Sequence, residues 1–200
     1  RNQQLSELNQ TLEIKIEERT LSLSKANQKL DHLASTDVLT GLSNRRHALH
    51  LLEQLWAESA MKGTSLACMM IDADGFKAIN DNYGHDAGDI VLCQLAKHLT
   101  YAVRTDDIVC RLGGDEFLII CPQTDEEGVS RIAKHTHAKI SVLTVPVTGG
   151  VWQGSISVGF ATKTEAMQNP EDLIKAADRG VYAGRIQFAS ATGGLIPKNT

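Results

Sequence analysis

Residues 107–121 read Asp107-Ile-Val-Cys-Arg-Leu-Gly-Gly-Asp-Glu-Phe-Leu-Ile-Ile-Cys121, two apolar runs interrupted by a glycine pair and two acids. Ile, Val, Phe and Leu on either side of Gly113-Gly114 predict a β-hairpin, because glycine accepts the positive φ that a tight turn requires. The turn presents bare backbone with Asp115 and Glu116 at its tip, a surface against which a triphosphate and its metal can lie. Taken alone, such a tip reads equally well as an ordinary solvated hairpin.

A second acidic segment separates these readings. Leu66-Ala-Cys-Met-Met-Ile71 is a continuous apolar run suited to a buried strand, and it ends in Asp72-Ala73-Asp74-Gly75-Phe76. Asp72 at the end of a buried strand, beside a tip carrying Asp115 and Glu116, concentrates negative charge that a cation must neutralise. Oxygen ligands without nitrogen or sulfur select Mg2+ or Mn2+ over zinc. Two such ions polarise phosphoryl oxygens and activate an attacking hydroxyl.

The chain has 200 residues, 42% of them hydrophobic, enough for one core of ordinary size plus an appendage. A formal net charge of −4 gives no basic footprint and argues against nucleic acid as a partner. Cys68, Cys93, Cys110 and Cys121 lie in apolar surroundings without paired ligand spacing, so buried reduced thiols and a cytoplasmic setting are expected. No apolar stretch reaches the ~18 residues of a membrane span, and no signal peptide is visible. Because the chain begins at Arg1 rather than Met, an upstream sensory portion is expected to precede it.

Residues 1–36 form the appendage. Leu5, Asn9, Leu12, Ile16, Arg19, Leu23, Ala26, Leu30 and Leu33 alternate spacings of four and three, with polar residues between them and neither Pro nor Gly. This heptad seam predicts a long helix. At ~1.5 Å per residue the helix is about 50 Å long, too long to lie along a small domain, which favours a parallel dimeric coiled coil over a helix folded onto its own core.

The remainder reads as α/β. Helices are predicted over 44–61, 76–83, 87–103 and 125–140, a strand near 152–162, and a final helix opened by Asn169-Pro170-Glu171, where Pro suits the first turn.

These segments together resemble the GGDEF domain, the diguanylate cyclase family. The resemblance rests on Arg111-Leu-Gly-Gly-Asp-Glu-Phe117, Asp37-Val-Leu-Thr-Gly-Leu-Ser-Asn-Arg-Arg46, Asp72-Ala-Asp-Gly-Phe-Lys-Ala-Ile-Asn-Asp81 and Asn82-Tyr-Gly-His-Asp-Ala-Gly-Asp89. Ser155-Ile-Ser-Val-Gly-Phe-Ala161 and Ala176-Ala-Asp-Arg-Gly-Val-Tyr182 extend it in order towards the carboxyl end. It implies a ferredoxin-like palm of the nucleotidyl cyclase type, a sheet flanked by helices, over residues 37–190, with a tail at 191–200. It also implies an enzyme that condenses two GTP into cyclic di-GMP and two pyrophosphates, as a homodimer using Mg2+ or Mn2+.

Residue roles follow from the resemblance. Asp72 and Asp115 match the metal carboxylates, with the Ala73 carbonyl as a further ligand and Glu116 beside them; Asp72, Asp115 and Glu116 form the catalytic set. Asn80 and Asp89 match the readers of the guanine edge. Lys77, the amides of Gly75 and Phe76, and the bare backbone of Gly113 and Gly114 match the triphosphate cradle. Arg185 stands where the family carries a lysine, while the family's later arginine position falls at Ala189. That departure implies weakened triphosphate binding and leaves open a degenerate module that binds GTP or cyclic di-GMP without turnover. Arg104-Thr-Asp-Asp107 resembles the family's inhibitory site for the product. By itself such a pair reads as a surface salt bridge, and its placement upstream of Gly113 favours the inhibitory site; a structural coiled-coil scaffold that binds no nucleotide is a rival reading of the whole.

Overall fold

A computed structural model describes the backbone of residues 15–21 and 35–189, and the side chains of 15–21 and 35–181. The chain divides into Arg1–Thr36 and Asp37–Thr200. In the first unit residues 15–21 are helical. Of the nine seam positions they include Ile16 and Arg19, and Ile16 is 61% exposed. The other seam positions, Ala189's side chain, that of Arg185 and the 191–200 tail lie outside the described residues.

In the second unit the elements run β1 (Ser43–Asn44), α1 (Arg45–Lys62), β2 (Leu66–Ala73), α2 (Phe76–Tyr83), α3 (His85–Ala102), β3 (Ile108–Gly113), β4 (Glu116–Pro122), α4 (Glu126–Ser141), β5 (Thr144–Val147), β6 (Gly150–Gln153), β7 (Ile156–Thr162) and α5 (Pro170–Ala189). Five strands form one sheet in the order β1-β3-β4-β2-β7, and β5 and β6 form a separate two-stranded ribbon. β1 runs parallel to β3; the other pairings in the main sheet are antiparallel.

β2 is an interior strand between β4 and β7, and its alternation builds the two sides of the molecule. Ala67, Met69, Ile71 and Ala73 face a core shared with Ile79 of α2, Val91 and Leu95 of α3, and Val129 and Ile140 of α4. Leu66, Cys68 and Met70 face the opposite core, with Leu52 of α1 and Leu173, Ala177 and Val181 of α5. Burial on both faces explains why β2 reads as an unbroken apolar run rather than as alternating residues. The expected palm, a mixed sheet with helices on both sides, is the architecture found.

Helix ends follow local chemistry. The Asn44 side chain accepts from the His47 amide to open α1, and Asp125 accepts from the Gly128 amide to open α4, where Glu126 and Glu127 complement the helix dipole. Helix α3 begins at His85, two residues before the expected start.

One expectation needs correction. The strand anticipated over 152–162 is two strands, broken at Gly154-Ser155, because β6 pairs with β5 in the ribbon and β7 with β2 in the main sheet; at the break a Cβ on Gly154 would lie 2.0 Å from the Ile140 carbonyl oxygen. Gly180 lets α5 approach β7: its Cβ would lie 3.2 Å from the Gly159 Cα.

All four cysteines are free thiols, three buried and Cys93 half-buried. Burial pushes the Cys110 thiol up to about 12 and holds that of Cys68 well above its ordinary value, so both remain protonated near neutrality.

Candidate active site

β3 and β4 pair directly up to Gly113 and Glu116. The turn is therefore Gly114-Asp115, with Gly114 at φ 53 supplying the left-handed residue. Glu116 belongs to the first position of β4 rather than to the tip. Arg111 fixes the turn from behind: its Nε and Nη2 donate to the Gly114 carbonyl at 3.0 and 2.8 Å. Its Nη1 reaches both Asp37 carboxylate oxygens, at 3.0 and 3.2 Å. Burial alone would raise the Asp37 pKa, but the Thr40 hydroxyl and amide and the Arg111 guanidinium outweigh it and hold the carboxyl below its ordinary value.

Sheet register places the acids. Asp72 pairs directly with Glu116 across β2 and β4, so the two side chains lie on one face of the sheet at neighbouring positions. The Ala73 amide donates to the Asp115 carbonyl at 3.3 Å, tying the end of β2 to the hairpin turn. Asp72, Ala73, Asp115 and Glu116 thus occupy one edge of the molecule. Among the described residues no three His, Cys, Asp or Glu side chains converge as a ready-made metal cage. The donor set nonetheless fits Mg2+, which is held through one or two carboxylates together with substrate phosphates.

β2 leads through Asp74-Gly75 into α2, and Gly75 at φ 74 turns the chain. No side chain caps this helix, so its first amides, from Phe76 onward, and exposed Lys77 are available at its start.

Asp74 lies outside the expected site, and sequence reasoning gave it no role. Its Oδ2 accepts from the Ser155 hydroxyl at 2.8 Å and its Oδ1 from the Ser157 hydroxyl at 2.7 Å. Its amide donates to the Ser155 carbonyl at 3.0 Å, and its carbonyl accepts from Trp152 Nε1 at 3.1 Å. Asp74 anchors the acidic loop to β7, while Asp72 heads the active edge. The signal was present as the Ser155-Ile-Ser157 alternation, which sends both hydroxyls to one side of a strand.

Asn80, in the last turn of α2, packs against α3. Its Oδ1 is buried and has no hydrogen-bond partner. Gly88 makes the room: a Cβ there would stand 2.0 Å from Asn80 Oδ1 and 3.1 Å from Phe76 Cε2. Asp89, the next residue, is exposed. Its charge and the Asp37–Arg111 pair both act on the Cys93 thiol, which burial raises in the first place. Asp89 and the Asp37–Arg111 pair behind the hairpin therefore come together near Cys93 on α3.

Arg104 and Asp107 are joined at 3.6 Å and stand in the loop between α3 and β3. The Asp107 side chain is 1% exposed and that of Arg104 58%. Asp107 accepts from the Arg104 amide at 3.0 Å, and Arg104 Nη2 donates to the Thr124 hydroxyl at 2.9 Å. Asp107 is thus turned inward as a brace, and the Arg104 guanidinium is the outward partner.

Comparison with known proteins agrees with this arrangement. Residues 34–188 match the family described as diguanylate cyclase, GGDEF domain. The response regulator PleD of Caulobacter vibrioides is 39% identical over 170 residues, covering 82% of this chain and 37% of that protein. Diguanylate cyclase DgcM of Escherichia coli is 34% identical over 161 residues, covering 80% of this chain and 38% of that protein. The chain thus spans under two fifths of the length of these relatives. The solved coiled coil and GGDEF domain of DgcB from Caulobacter crescentus, in complex with c-di-GMP, superposes with a TM-score of 0.76 at 25% identity, covering 88% of this chain and 95% of that one. Diguanylate cyclase SiaD from Pseudomonas aeruginosa, solved with its activator SiaC, superposes with a TM-score of 0.74 at 28% identity, covering 93% and 71%. With a glycine hairpin carrying its acids against the end of an interior strand, this chain belongs to the GGDEF domain family of diguanylate cyclases.

Proposed function

We propose that this chain condenses two GTP into cyclic di-GMP with release of two pyrophosphates. The observation that carries the proposal is the register of Asp72 against Glu116, with Asp115 tied to Ala73 beside them. Asp72 and Asp115, with the Ala73 carbonyl and Glu116, hold Mg2+ or Mn2+. When bound, these ions neutralise phosphate charge and lower the pKa of the attacking 3′-hydroxyl.

The other residues position substrate. Lys77 and the amides of Gly75 and Phe76 take the β- and γ-phosphates at the start of α2, Gly113 and Gly114 allow the chain close approach, and Arg185 adds charge from α5. Asn80 and Asp89 read the guanine edge, Asp89 accepting from N1–H and the 2-amino group, which adenine does not offer. Each protomer holds one GTP. Catalysis requires two protomers facing one another, so that each 3′-hydroxyl attacks the partner's α-phosphorus in line with pyrophosphate. The seam in residues 1–36 supplies the dimer contact, and an upstream sensor sets its geometry. Product binds at Arg104 and feeds back on the rate.

A degenerate module is the second reading, favoured by Ala189 at the second cation position. Incubation with GTP and Mg2+, followed by chromatographic identification of products, decides between them. Cyclic di-GMP with two pyrophosphates per product, formed at a rate that rises with the square of protein concentration in the dilute range, is expected. GTP recovered intact after binding overturns the enzyme reading.

A further inference from the structure

The last turn of helix α3 carries Tyr101, 76% exposed, the most exposed aromatic residue among the described residues; Tyr83 follows at 38%. An aromatic ring left in water at a helix end contributes little to the core. Two cavities open on either side of it. One, of about 670 Å³, is lined by Tyr101, Arg104, Thr124 and Arg131. The other, of about 460 Å³, is lined by Tyr101, Arg104, Thr105 and Asp107. Both volumes lie within the range of small-molecule sites. Tyr101 and Arg104 are common to both, one offering a flat π-face and the other a planar cation. The Arg104 guanidinium is already oriented by its Nε beside Asp107 and its Nη2 on the Thr124 hydroxyl, so less side-chain freedom remains to be lost on binding.

We propose that Tyr101 is a base-stacking platform for a guanine-containing cyclic dinucleotide, one base lying on its ring while the Arg104 guanidinium meets the ligand alongside. The inference rests on the reading of Arg104 as part of the product site and adds the aromatic half of that site. Two purines on one macrocycle match two cavities that share a wall. Arg131, which also lines the larger cavity and pairs with exposed Glu127, supplies positive charge for a phosphate. Base–aromatic stacking follows from the π-face that every base carries, so the ring, not the hydroxyl, provides the contact.

The test is isothermal titration of cyclic di-GMP into the full chain and into Tyr101→Ala, Tyr101→Phe and Arg104→Ala. Tyr101→Ala should weaken binding by roughly one to two decades, and Tyr101→Phe should bind within a factor of about three of the parent. The exposure of Tyr101 means that neither change opens the core, and thermal unfolding provides the check. If Arg104→Ala weakens binding while Tyr101→Ala does not, the platform is wrong and the product site stands. If Tyr101→Phe loses as much as Tyr101→Ala, the hydroxyl carries the contact and stacking is refuted. If the parent chain does not bind, or Arg104→Ala binds as the parent does, the product-site reading fails and the platform falls with it.

Discussion

Replacing Gly88 by Ala should separate stability from substrate recognition. A Cβ at residue 88 would lie 2.0 Å from Asn80 Oδ1, where real Cβ contacts essentially never fall below 3.0 Å. The carboxamide must therefore retreat by at least 3.0 − 2.0 = 1.0 Å. Because Asn80 Oδ1 has no partner to lose, the retreat costs little folding free energy. Alanine in place of glycine within α3 returns up to about 1 kcal/mol of helix preference. Overpacking against Phe76 Cε2, at 3.1 Å, offsets part of that. The variant should unfold within a few degrees of the parent. If Asn80 reads the base as proposed, its displacement by about 1 Å is a different matter, since such misplacement costs on the order of 10²-fold in rate. Steady-state kinetics with GTP and ATP should show kcat/KM for GTP falling by about two decades and the GTP-to-ATP preference shrinking. Asn80→Ala should do the same, and the double variant should lose no more than the worse single one, because both remove one interaction. Parent-like GTP kinetics in Gly88→Ala, or additive losses in the double variant, would refute the argument.

Asp115→Asn should abolish turnover while leaving thermal unfolding unchanged, since the residue sits in a two-residue turn; activity retained in this variant ends the two-metal assignment. Ser155→Ala combined with Ser157→Ala removes both hydroxyls from Asp74 and should raise the Mg2+ concentration needed for half-maximal rate several-fold, with magnesium-independent GTP-analogue binding as the control; an unchanged requirement shows that the anchor does not position the acidic loop. Asp37 has a folded-state pKa below its ordinary value, so its contribution to stability is present above the ordinary carboxyl range and disappears as pH falls through the depressed value. Urea unfolding of the parent and Asp37→Asn should therefore differ most near neutral pH and converge as pH falls below the ordinary carboxyl range; a constant difference across that range would show that its ionisation is not linked to folding.

Local chemistry in this chain is legible without coordinates. The glycine pair between apolar runs specifies a hairpin because only glycine adopts the left-handed turn residue cheaply, and Gly114 is that residue. The unbroken run 66–71 specifies a strand covered on both faces, as β2 is. Asn44 and Asp125 announce helix starts because capping acts within three residues. Motif order was enough to identify the family.

Tertiary structure decided what depends on register and long-range approach. Asp72 stands opposite Glu116 because β2 and β4 pair at that offset; a slip of one residue would turn either acid into the other core, and periodicity alone carries no such offset. Asp74 carries the same charge as Asp72 two residues earlier, yet it binds hydroxyls 81 and 83 residues away. Arg111 reaches Asp37 across 74 residues. Gly88 looks like any helical glycine until α2 is packed against α3 and the Asn80 carboxamide occupies its missing Cβ. Sequence patterns report which face of a strand or helix is apolar. Which polar group meets which is fixed only when the elements close around the core, because hydrogen bonds and side-chain contacts act over a few ångströms of space and not along the chain.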